Sequence, residues 1–101
     1  MISDVIEKNQ QYVVLDEYNK KISSNYFSSL GELIGFTGTF LVFRKNQQYV
    51  VYDEDLTKIA SNYESNLGEF RKAVGETINF RKNGQIHTYD SNLDKISSRW
   101  E

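Results

Sequence analysis

The chain has 101 residues, of which 39% are apolar and 26% charged, which is the composition of one small globular domain (residues 1–101) and not of a disordered segment. A net charge of −2 gives no broad basic field, so nonspecific attraction to nucleic acid or an anionic membrane surface is not expected. Cysteine is absent, which excludes disulfides and thiolate chemistry and fits a reducing compartment. No apolar run approaches the roughly 18 residues of a membrane span. The opening MISDVIEKNQ lacks the basic region and apolar stretch of a signal peptide. A cytoplasmic location is therefore expected, with no membrane partner.

The first informative stretch is KNQQYVV at residues 8–14, which recurs letter for letter at residues 45–51. Lys8, Lys45 and Lys82 stand 37 residues apart, and further matches keep the same step. They include Asp16, Asp53 and Asp90; Ser24, Ser61 and Ser98; and the aromatics Tyr26, Tyr63 and Trp100. So many matches at one offset point to an internal repeat, at about 1–27, 28–64 and 65–101. Some ten residues corresponding to Ser65–Val74 are lacking from a third full copy. If the copies close into a ring, the termini meet at a seam there.

Within a copy, Asn9-Gln10, Asn46-Gln47 and Asn83-Gly84 occupy one hairpin-turn site. Asn-Gly suits a type I′ turn, which needs positive φ at both central residues, and Gln in the second place implies a turn of the same type under strain or of a slightly different type. A second turn follows in DEYNKK, DEDLTK and DSNLDK, where the leading Asp is placed to accept from backbone N–H groups two residues on. Between these turns lie predicted strands. Phe40–Arg44 and Thr77–Arg81 come first, Gln48–Tyr52 and Gln85–Tyr89 second, Lys58–Tyr63 and Lys95–Trp100 third. Alternation sets Ile59, Ser61 and Tyr63 on one face. The middle segment is apolar on both faces, as in a covered central strand. The last part of each copy is ambiguous. Asn66-Leu-Gly-Glu69 has the form of a helix capping box, but Gly35 inside the equivalent stretch SSLGELIGFTG argues against a helix, so a fourth, irregular strand is favoured over a short helix. Glycines at 31, 38, 68 and 75 fall where tight bends join the copies.

The fold class expected is all-β: about 2.7 copies of a 37-residue antiparallel hairpin repeat, closed with pseudo-threefold symmetry in a trefoil-like, propeller-like or knotted form. The motif K-N-x-Q-x-x-x-[LY]-D-x(4)-K-I-x-S resembles small tandem-repeat β proteins of unknown function from bacteria and phages. One subset of these winds as a torus-type knot, so the resemblance implies that topology, and it implies no catalytic or binding residue.

Candidate chemistry is sparse. His87 is the sole histidine and has no repeat partner, so it reads as a strand residue before a general base, and a two-histidine zinc site is excluded within one chain. Asp90-Ser-Asn92-Leu-Asp94 looks like a calcium loop but lacks its glycine and distal glutamate; turn formation explains it more simply. The recurring serines have no recurring base. Phe43-Arg44-Lys45 and Phe80-Arg81-Lys82, with nearby tyrosines, form the candidate binding surface: Arg44, Lys45, Tyr49, Arg81, Lys82 and Tyr89. The expectation is a noncatalytic structural or protein-interaction module with no cofactor and no metal. Its partner would be a second copy of itself or another protein. Binding of single-stranded nucleic acid or glycan through exposed aromatic and basic residues is the alternative, with nucleic acid disfavoured by the charge.

Overall fold

The computed structural model describes all residues from Met1 to Glu101. Eleven strands and two one-turn helices follow in order. They are β1 (Asp4–Lys8), β2 (Gln11–Leu15), β3 (Lys21–Tyr26), α1 (Phe27–Leu30), β4 (Glu32–Phe36), β5 (Phe40–Lys45) and β6 (Gln48–Asp53). Then come β7 (Lys58–Tyr63), α2 (Glu64–Leu67), β8 (Glu69–Val74), β9 (Thr77–Lys82), β10 (Gln85–Asp90) and β11 (Lys95–Trp100). The all-β class is as expected. The ambiguous junction holds both of its alternatives in succession: a single helical turn, then a strand.

Backbone geometry follows from the turn residues. Asn46 (φ 53°) and Gln47 (φ 64°) both take positive φ, as do Asn83 (54°) and Gly84 (77°), which is the two-residue hairpin geometry the sequence predicts. At the opposite end of each hairpin one carboxylate oxygen of Asp53 accepts from the N–H of Asp55 and of Thr57, both at 2.9 Å. Asp16 and Asp90 do the same for their own turns. The Lys20 and Tyr18 N–H groups hold the Asp16 carboxyl below its ordinary pKa, Lys20 contributing most.

Each sheet is an antiparallel meander of consecutive strands: β1-β2-β3, then β4-β5-β6-β7, then β8-β9-β10-β11. No strand crosses from one sheet to another, so the interweaving that a knotted chain implies is not found. Nor do the sheets close into a threefold ring. β1 pairs only with β2 and β11 only with β10, while Met1 lies against the second sheet at Gly38 and Glu54, and Glu101 against Arg81 and Gly84 of the third. The anticipated seam between the termini is therefore absent. The physical reason is that neighbouring sheets meet through side-chain faces and share no strand pairing; the edge strands β4 and β8 are reached from the preceding sheet by tyrosine hydroxyls and not by another strand. The molecule is correspondingly elongated, 40 × 27 × 19 Å.

Two cores result. Tyr12 and Val14 of the first sheet pack with Ile2, Leu30, Leu41 and Phe43. On the other side of the second sheet, Phe40, Val42, Tyr49 and Val51 pack with Leu67, Ile78 and Phe80. β5 thus supplies alternate residues to each core and is fully buried from Phe40 to Phe43. One predicted orientation is corrected. A bulge pairs Val51 with Ala60 and Tyr52 with Lys58, leaving Ile59 over. Ile59 packs on the core shared with the third sheet, whereas Ser61 opposes Val50 on the other face.

The outer face of the third sheet is polar where the matching face of the second is apolar. Asn79 and Thr88 stand 37 residues after the buried Val42 and Val51, and Thr88 Oγ1 bonds to Asn79 Oδ1 at 2.7 Å. Buried Ile86 is flanked across the strands by Arg81 and Arg99, whose hydrocarbon stems suit such a cover.

Candidate functional site: the turn end of the three sheets

At the end of each sheet where the Asn-X turns lie, an exposed aromatic closes the last strand. Tyr26 opposes Gln11, Tyr63 opposes Gln48, and Trp100 opposes Gln85. The chain is pinned there by one backbone bond per sheet: Phe27 N–H to the Gln10 carbonyl at 3.0 Å, Glu64 N–H to Gln47 at 2.9 Å, and Glu101 N–H to Gly84 at 3.1 Å. The rings nevertheless point outward, 55%, 55% and 73% exposed in chain order. Tyr and Trp at such exposure, at the same place in three sheets, are the most conspicuous surface feature of the molecule.

These aromatics sit on strands with a free edge. β3, β7 and β11 each pair on one side only. The N–H groups of Tyr26 and Tyr63 turn instead to the side-chain oxygens of Asn25 and Asn62, both at 2.8 Å. Backbone groups with so local a partner are available to an added strand.

The six residues of the predicted surface have mixed fates. Arg44 is exposed, but its guanidinium holds Glu64 at 2.8 Å; Arg81 holds Glu101 at 2.8 Å. The hydrogen bond and charge of Glu64 raise the Arg44 pKa above its ordinary value. Lys45 Nζ donates to the carbonyls of Ser28 (2.8 Å) and Ser29 (3.1 Å), and Lys82 Nζ to that of Asn66 (3.0 Å). Both lysines therefore hold the one-turn helices in place. Tyr49 is corrected as a surface residue: it is only 3% exposed, because its ring fills the core and its hydroxyl bonds the backbone of the next sheet. Tyr89 is likewise turned inward, its ring 5.5 Å from Phe80, and burial raises its pKa. Arg44 does share a shallow hollow with Gln47, Tyr63, Glu64 and Ser65. The sequence signal for the exposed ring was there, an aromatic ending the last predicted strand of each copy at the 37-residue spacing.

His87 is half-buried on the inward face of the third sheet, opposite Phe80 and Ser98. Burial lowers its pKa, and the positive charges of Lys95 and Lys82 lower it further. The Asp90 carboxylate is engaged by its own turn. No group of three or more His, Asp or Glu side chains is close enough to hold a metal ion, and no helix is long and apolar enough to cross a membrane. No protein-family model matches the chain, and no curated protein matches it in sequence.

Proposed function

We propose that the protein is a noncatalytic protein-interaction module of the cytoplasm, built as a tandem array of 37-residue units. Each unit offers a partner one free-edged strand ending in an exposed aromatic. The observation that carries this reading is the recurrence of Tyr26, Tyr63 and Trp100 at the same place on β3, β7 and β11. Rigid aromatics bury large area at low entropic cost and anchor protein interfaces. A free edge adds backbone bonds to an extended segment.

A second reading has support from the amide groups beside the rings. Tyr63 with Gln47 and Gln48, and Trp100 with Gln85, set flat aromatic faces next to neutral donors and acceptors, which suits a sugar ring as well as a peptide. Single-stranded nucleic acid is less favoured, since Glu64 and Glu101 compensate the two arginines at this end.

The test replaces all three aromatics, Tyr26→Ser, Tyr63→Ser and Trp100→Ser, in one chain and compares it with the parent as bait. The expected result is one stoichiometric protein partner captured by the parent and lost with the triple variant, at unchanged circular dichroism. A partner held equally by both would overturn the reading. Retention of the parent alone on a glycan or oligonucleotide support would move the assignment to the second reading.

A further inference from the structure

We infer that two copies of this chain join edge to edge through β1, paired antiparallel about a twofold axis at Ile6. The starting point is a bare edge. β5 and β9 occupy corresponding places in the second and third sheets, and each is paired on both sides; β1 pairs with β2 alone. The strand has five residues, contains no proline, and is almost wholly exposed. Because Lys8 and Gln11 flank a two-residue turn, the backbone groups of Lys8, Ile6 and Asp4 point to β2, and by alternation those of Val5 and Glu7 point outward. The Val5 N–H is in fact met only by the neighbouring Asp4 carboxylate, at 2.8 Å.

The sequence DVIEK is complementary to itself in this register. With Ile6 opposite Ile6 of the second copy, Val5 faces Glu7 and the outward N–H and C=O groups of each are exchanged, giving four backbone bonds. Asp4 then faces Lys8 twice over, in the closely spaced non-hydrogen-bonded pairs where side chains interact best. Lys8 is free to do so. Lys45 and Lys82, its counterparts, are committed to helix carbonyls, while the Lys8 ammonium makes no hydrogen bond or ion pair. On joining, the Val5 N–H passes from Asp4 to the Glu7 carbonyl of the second copy, and the Asp4 carboxylate passes to Lys8. All four ion pairs of the molecule lie away from this edge, so nothing has to be broken but the one local bond. One strand pair buries less than the roughly 1,200 Å² of a stable standard interface, so the dimer is concentration-dependent and weakens with salt.

Light scattering on a sizing column, across a hundredfold range of concentration at low salt, is the first measurement. The expected mass rises from 11.8 kDa toward twice that value. Lys8→Glu sets like charges opposite each other and is expected to weaken the dimer at least tenfold, as is Asp4→Lys. The double variant Asp4→Lys with Lys8→Glu restores it. Glu7→Pro removes an outward N–H without touching the bonds to β2 and abolishes the dimer at unchanged circular dichroism. A mass fixed at 11.8 kDa up to millimolar chain overturns the inference. So does a dimer that ignores the charge variants and Glu7→Pro, which would place the contact elsewhere.

Discussion

The Tyr49 hydroxyl accepts the backbone N–H of Phe70 at 3.1 Å, and it donates to the Gly68 carbonyl at 2.9 Å, so one side chain of the second sheet fastens the first strand of the third. Tyr12 reaches the Leu33 N–H at 3.2 Å in the same manner, one sheet earlier. Tyr49→Phe keeps the ring and its contact with Phe80 (4.9 Å) while leaving two backbone groups without their partner. The expected cost is about 1–3 kcal/mol in urea unfolding. Tyr12→Phe, with one bond to lose, is expected to cost less.

Gly68 stands where only glycine fits. Its φ is +98°, and a Cβ built there would lie 2.5 Å from the Arg81 carbonyl oxygen, a backbone atom that has no room to move aside. Gly75 also has positive φ (+59°) but open space around it. Gly68→Ala should therefore cost at least about 3 kcal/mol, a clash added to a disfavoured conformation, and Gly75→Ala only about 1 kcal/mol from conformation alone. The two unfolding midpoints, measured side by side, separate packing from backbone preference.

The hairpin turns leave stability to be gained. Gln47 holds φ 64° and Gln10 holds φ 65° at the position that Gly84 fills in the third hairpin. Gln47 is exposed, so Gln47→Gly loses no core packing and removes the strain of a left-handed Gln. An increase of about 1 kcal/mol is expected, read from the shift in thermal or urea midpoint.

Those turns were also the most legible part of the sequence, because Asn-Gly and leading Asp residues act through bonds to their own neighbours. Local chemistry of that kind fixed six of the eight hairpins, the turns at Gly38 and Gly75 excepted, and the two-sided apolar pattern of QYVVY anticipated a covered β6. How the sheets meet was less legible. Closure was inferred from spacing, yet it depends on whether the end faces resemble the internal ones, and Asn79, Thr88 and Asp4 stand where an internal face has Val42, Val51 and Leu41. The predicted surface failed at Tyr49 for a related reason. Tyrosine patterns alike whether its hydroxyl meets solvent or, as here, a buried N–H across the sheet interface. The bulge at Ile59 escaped too, since one extra residue reverses a face without altering composition.

His87 gives the fold a pH dependence with a definite sign. Its ring faces the second sheet, and burial, then Lys95 and Lys82, depress its pKa below the ordinary 6.5. The unfolded chain therefore binds the proton more readily than the folded one. The stability associated with neutral His87 is fully present above about pH 6.5, the unfolded value, and is lost as pH falls from there toward the lower folded value. Asp16, held below its ordinary carboxylate value by the Lys20 and Tyr18 N–H groups, lies outside this window. Urea midpoints taken from pH 7.5 down to pH 5 should fall for the parent chain. His87→Val places there the residue found at 13 and 50, and its midpoint should stay nearly flat over the same range. Equal slopes for the two chains would show that the proton is taken up elsewhere.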